Sequence, residues 1–210
     1  YAIISISIGA TVPFLIPFTK SKDGYSETSK LLHRMILNNP TLGLRLFKRE
    51  VKKMDNVISN KKEFVVISGL ARAGTTSLMT DLFKTGYFSS LDYANMPFLL
   101  SPNTWRKFYR PKNKELKERS HQDGVMIGLD SVEAMEEYFF KVSTEDSYIK
   151  DETLELHDIS ASTYADYMTY HKLIRSSNEK LYLAKNNNFI LRFEAMCKHN
   201  DKFKTFILFI

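Results

Sequence analysis

Two periods of hydrophobic residues alternate along the chain. Glu63-Phe64-Val65-Val66-Ile67-Ser68 is a short β-branched run closed by Gly69, the pattern of a buried parallel strand, and Thr76 to Lys84 after it has helical spacing. Tyr87–Leu91, ending at Asp92, Leu181–Ala184 and Lys204–Ile210 are three further short strands. Helical spacing recurs at Leu31, Leu32, Met35 and Ile36, at Leu42, Leu46 and Phe47 around Pro40, and from Ser160 through Tyr164, Tyr167, Met168, His171 and Ile174. Phe189 to His199 reads as another helix, and Asp130 or Ser131 can cap one running through Glu133, Glu136, Glu137 and Phe139. Strands alternating with helices predict an α/β domain with a central parallel sheet flanked by helices, and no internal repeat is visible.

The first eighteen residues are almost uncharged and are followed by Lys20 and Lys22, which suits a membrane anchor. The alternation Ile4-Ser5-Ile6-Ser7-Ile8, with Pro13 and Pro17, suits a strand and opposes a helix. The polar stretch Lys20–Ser29 reads as a linker, so 1–30 is an apolar segment and linker and 31–210 is the domain. The chain opens without Met and closes in an apolar run with no cap, and is expected to be a piece of a longer protein.

Composition narrows the class further. With 210 residues, 43% hydrophobic and 26% charged, one globular domain with an adequate core is expected, and disordered, collagenous and coiled-coil classes are excluded. The single cysteine, Cys197, leaves no internal disulfide and points to a reducing compartment, hence a cytoplasmic location, or a membrane-associated one with the domain facing the cytosol. A net charge of +6 favours anionic partners. The basic, irregular run Trp105–Arg119 carries Arg106, Lys107, Arg110, Lys112, Lys114, Lys117 and Arg119 with aromatic residues between them, but no nucleic-acid fold motif accompanies it. It is read as a mobile loop over an acceptor site, and no nucleic-acid partner is expected.

The chemistry concentrates in Gly69-Leu70-Ala71-Arg72-Ala73-Gly74-Thr75-Thr76, between strand and helix. Such a loop offers successive backbone N–H groups, a helix N-terminus, two hydroxyls and a guanidinium to an anion. Thr75 stands where the lysine of GxxxxGK(S/T) would be, which opposes an ordinary ATPase or GTPase.

This loop resembles the 5′-phosphosulfate loop, P-K/R-S-G-T-T, of sulfotransferases that use 3′-phosphoadenosine 5′-phosphosulfate (PAPS), with Ala71 and Ala73 in place of the usual Pro and Ser. Lys185-Asn186-Asn187-Asn188 resembles the segment before the family's second cofactor strand. Asp92–Phe98 with Pro102–Trp105, and His121–Gly124 with Asp130-Ser131 and Glu136-Glu137, are similar to a bacterial branch of that family. The resemblance spans about Leu31 to Ile210. It implies a P-loop nucleotide-hydrolase-like sulfotransferase fold, incomplete at its C-terminal side, and transfer of a sulfonate group from PAPS to a hydroxyl or amine acceptor without a metal. The family's 3′-phosphate arginine would follow Ile210, so residues 1–210 alone are expected to bind PAPS poorly and to be inactive.

The resemblance assigns cofactor contacts to Gly69, Ala71, Arg72, Ala73, Gly74, Thr75 and Thr76. It gives Arg72 the leaving oxygen and Lys185 the sulfonate. The general base is Asp92 or His121, the latter oriented by Asp123, while Asn186, Asn187 and Asn188 can bind acceptor hydroxyls. Glu133, Glu136 and Glu137 are read as a solvated helix face. The acceptor is open among carbohydrate, lipid head group, phenol and protein tyrosine. The alternatives are a nucleotide-dependent phosphoryl transferase and a non-catalytic nucleotide-binding or membrane-tethered module.

Overall fold

A computed structural model describes residues 27–54, 63–70, 73–109, 117–118, 126–127, 132 and 134–200. The expectations for residues 1–18, Ala71, Arg72, His121, Asp123, Asp130, Ser131, Glu133 and the run 204–210 lie outside the described residues.

Strands β1 (Phe64–Ile67), β2 (Phe88–Ser89) and β5 (Leu181–Lys185) form a parallel sheet in the order β1-β5-β2. The register runs from Phe64 opposite Tyr182 to Ile67 opposite Lys185 on one side, and sets Ser89 opposite Tyr182 on the other. A mixed α/β architecture with a parallel sheet is therefore present, as the alternation of periods predicts. Helices α1 (Glu27–Leu37) and α2 (Pro40–Lys52) flank Pro40, and Asn39 caps α2 by accepting from the Leu42 amide at 3.0 Å. The expected linker thus gives way to helix from Glu27.

Side chains alternate between the two faces of the sheet because a strand has a period of two. Phe64, Val66, Tyr182 and Ala184 face the larger core, where α5 (Glu137–Ser143) and α6 (Ala161–Ile174) contribute Phe139, Phe140, Tyr167 and Tyr170. Val65, Ile67 and Leu183 face a smaller core closed by Met79, Leu82 and Phe83 of α3 (Thr75–Lys84). Phe139 and Phe140 are fully buried, and each contributes about 1.5–3 kcal/mol of apolar burial.

Three expected boundaries move. The helix assigned to Glu133–Phe139 begins at Glu137, and the one assigned to Phe189–His199 is a 3₁₀ segment, Asn187–Arg192, running into α7 (Phe193–His199). The basic stretch is not irregular throughout: it contains α4 (Pro102–Phe108) and part of an antiparallel pair, β3 (Lys117–Glu118) with β4 (Met126–Ile127). Buried Glu50 of α2 caps α4, its two carboxylate oxygens accepting from the Asn103 and Thr104 amides at 2.8 and 3.0 Å. By contrast, the expected start of α6 holds, with Ser160 Oγ accepting from the Thr163 amide at 3.1 Å.

The larger core holds one polar anomaly. His171 of α6 is 3% exposed, stacks on Tyr182 at 3.9 Å and meets Tyr167 edge-on at 4.0 Å, and neither ring nitrogen has a hydrogen-bond partner. Burial, and secondarily the Arg175 charge, holds its pKa well below 6.5. Below that value the unfolded chain binds a proton that the folded chain refuses, so stability falls as pH falls from about 6.5. Acidification from pH 7.5 to 5.5 costs on the order of 1 kcal/mol through such a group. His171→Phe is expected to flatten this acid slope and to raise stability by about 1 kcal/mol at pH 7.5, because two unsatisfied nitrogens leave the core. Urea midpoints at the two pH values check it; an unchanged slope in the variant would refute it.

Candidate active site

The carboxyl ends of the three described parallel strands meet at one edge of the sheet, where ligands collect in open α/β folds. The loop after β1 turns into α3 through Gly74, which has φ 70° and ψ 9° and provides no capping side chain. A left-handed backbone suits glycine there, and it leaves the first-turn amides of α3 directed at whatever lies before the helix. At Gly69 a Cβ atom would come within 3.1 Å of Thr75 Cγ2, so the loop closes tightly on the helix.

Lys185 follows Leu183 at a spacing of two, and therefore leaves β5 on the same face as α3. Its Nζ donates to Thr76 Oγ1 at 2.7 Å. A cation and the hydroxyl-bearing first turn of α3, 109 residues apart in sequence, are thereby joined. The junction is held by the Asn186 amide donating to the Ile67 carbonyl at 2.9 Å, and by Ser68 Oγ donating to the Asn187 carbonyl at 3.2 Å. Gly69, Ala73, Gly74, Thr75, Thr76 and Lys185 thus sit together; Ala71 and Arg72 lie outside the described residues.

Asp92 lies at the same edge, three residues beyond Ser89 as Lys185 lies three beyond the paired Tyr182. It opens a 3₁₀ turn, Tyr93–Asn95, in which Asn95 Oδ1 accepts from the Asp92 amide at 2.9 Å. The Asp92 carboxylate is 3.9 Å from Arg106 of α4. His121, the other candidate base, is outside the described residues.

Glu136 and Glu137 are not a solvated face. Glu136 is 2% exposed and accepts from Tyr167 at 2.6 Å, Tyr182 at 3.0 Å and Asn186 Nδ2 at 3.0 Å. Burial raises its carboxyl pKa despite these bonds. Glu137 receives both terminal nitrogens of Arg192, at 2.7 and 2.8 Å, together with the Tyr148 hydroxyl. Burial alone would raise the Glu137 pKa, but the hydrogen bonds and charge of Arg192 outweigh it and hold the carboxyl below its ordinary range. Arg192 is 1% exposed, donates Nε to His157 Nε2 at 3.0 Å and lies 4.0 Å over the Phe140 ring.

These acidic residues precede and open a helix whose following residues are apolar, a pattern equally common on exposed helices. The overlooked signal was on other elements. Tyr167 and Tyr182 occupy core positions in their own elements, and a buried phenol needs a hydrogen-bond partner.

A cavity of about 190 Å³ lies beside the junction, lined by Ala134, Glu137, Lys185, Asn186, Asn187 and Asn188. A larger cleft of about 450 Å³, as open to solvent as the first, is lined in part by Leu156, His157, Ile190 and Lys198 and includes none of the described loop or strand-end residues. Among the described residues, no group of three or more His, Cys, Asp and Glu side chains could hold a metal, and no helix is long and apolar enough to cross a membrane. Comparisons with protein-family models, curated proteins and solved structures find no match for this chain.

Proposed function

We propose that the chain forms part of the catalytic domain of a PAPS-dependent sulfotransferase acting on an oxygen or nitrogen nucleophile. The observation that carries this reading is the 2.7 Å bond from Lys185 Nζ to Thr76 Oγ1, which sets a cation beside a glycine-opened helix N-terminus at the carboxyl edge of a parallel sheet. That donor set fits an anionic phosphosulfate: backbone amides, two threonine hydroxyls and an ammonium, with no carboxylate among them. The wider resemblance of Gly69–Thr76 and Lys185–Asn188 to the sulfotransferase motifs supports the same reading, as does the α/β sheet that holds them.

PAPS supplies a sulfonate already activated by its bond to phosphate. The chain's own residues then orient and stabilise. The α3 amides with Thr75 and Thr76 bind the phosphate oxygens, Arg72 meets the charge that builds on the leaving oxygen, and Lys185 holds the sulfonate. Asp92 or His121 takes the proton released as the acceptor forms its new bond to sulfur. The catalytic work is positioning and electrostatics, with no metal in the scheme.

Calorimetric titration of adenosine 3′,5′-bisphosphate into the full-length protein, with ATP for comparison, tests the reading. Selective binding that Arg72→Ala weakens at least tenfold is expected. Preference for ATP would favour phosphoryl transfer, and binding of neither would favour a non-catalytic module.

A further inference from the structure

The cavity beside Lys185 has an unusual lining. Among the described residues it is lined by one lysine, three asparagines, one glutamate and Ala134, with no aromatic residue. Asn186 is fixed, giving Nδ2 to Glu136 at 3.0 Å and accepting the Asn188 amide on Oδ1 at 3.0 Å. Through that pair the buried Glu136 carboxyl holds the whole turn after β5 in place. The side-chain amides of Asn187 and Asn188 make no hydrogen bond within the described residues.

Two uncommitted amides on a rigid turn are a specific offer. Each presents two donors and an acceptor, matching hydroxyl groups that both give and receive hydrogen bonds. An anion would use only the donors and leave the two amide acceptors unmet. A phenol would need a flat apolar wall, and the described lining offers no ring or branched aliphatic side chain for one. The volume, about 190 Å³, lies below the about 300–1,000 Å³ typical of pockets for drug-sized ligands. It suits one sugar ring.

We propose that this cavity is the acceptor subsite and that the acceptor is a polyhydroxylated, non-aromatic molecule, a sugar or polyol, held by Asn187 and Asn188 with one hydroxyl presented to Lys185. The assignment as an acceptor subsite rests on the sulfotransferase reading; the binding of a polyol does not. Saturation-transfer NMR on the full-length protein tests both, using methyl β-glucoside, methyl β-galactoside and 4-nitrophenol, with and without adenosine 3′,5′-bisphosphate. Binding of at least one glycoside in preference to 4-nitrophenol is expected. In Asn187→Ala/Asn188→Ala its dissociation constant should rise at least tenfold, with nucleotide affinity and melting temperature unchanged.

Preference for 4-nitrophenol, no glycoside binding at millimolar concentration, or glycoside binding indifferent to the two substitutions overturns the polyol assignment and leaves the nucleotide site standing. Glycoside binding lost in the double variant, in a protein that takes no nucleotide, supports the polyol site and sinks the sulfotransferase reading instead.

Discussion

Replacing Arg192 by Met is expected to destabilise the fold by about 3 kcal/mol, the lower end of the range for breaking a buried ion pair. The guanidinium is enclosed, with its side chain fully buried against Glu137 and its Nε on His157, so its removal leaves the Glu137 carboxylate with the Tyr148 hydroxyl but no counter-charge, and His157 Nε2 without its donor. Glu137 is 27% exposed, and water reaching it moderates the loss. The penalty comes chiefly from the uncompensated Glu137 charge, which makes a second expectation available. Glu137→Gln in the Arg192→Met background should recover part of the loss, whereas the same change in the wild type should destabilise. Urea unfolding of the four proteins at pH 7.5 gives the cycle. If Glu137→Gln destabilises equally in both backgrounds, the pair is not coupled and the account fails.

The largest functional effect is expected at Lys185. On the sulfotransferase reading, Lys185→Ala should lower transfer by about 10²- to 10³-fold, the usual consequence of losing one preorganised donor to developing charge. Stability should change little, since the side chain is only half-buried and leaves Thr76 with a hydroxyl that water can reach. Transfer measured with labelled PAPS, alongside a thermal melt, separates the two effects. Near-normal transfer in a well-folded variant would remove Lys185 from the chemistry and leave its bond to Thr76 as a structural tie.

What could be read from the sequence was whatever depends on neighbours along the chain. The strand at Phe64–Ile67, the glycine turn, helix α3 and the Ser160 cap each rest on short-range patterns, and all four are present. Lys185 was legible because a lysine ending an apolar strand falls at the carboxyl edge of the sheet. The Glu136 hub was not, because its partners Tyr167, Tyr182 and Asn186 come from three other segments, 31 to 50 residues away. Helical position alone could not separate Glu136 from an exposed carboxylate. The shortening of the helix there, so that Glu136 precedes rather than joins its regular turns, is set by tertiary hydrogen bonds that overrode local propensity. Arg192 escaped for the same reason, since a lone arginine inside the helix expected over Phe189–His199 carries no local sign of being a buried hub.

The strand order β1-β5-β2 has a bearing on biosynthesis. Among the described strands the middle one is made last: β2 ends at Ser89 and β5 begins at Leu181, and β1 and β2 pair with β5 and not with each other. During translation at about 5–20 residues per second, roughly 90 residues separate β2 from the shared partner and more separate β1, an interval of at least about 5–18 s. Throughout it the ribosome displays Phe64–Ile67 and its apolar surroundings with the middle of the sheet missing. The nascent chain therefore depends on either slow collapse or a holding chaperone to keep those edges from other strands, and synonymous changes that slow elongation between Ser89 and Leu181 should lower its soluble yield.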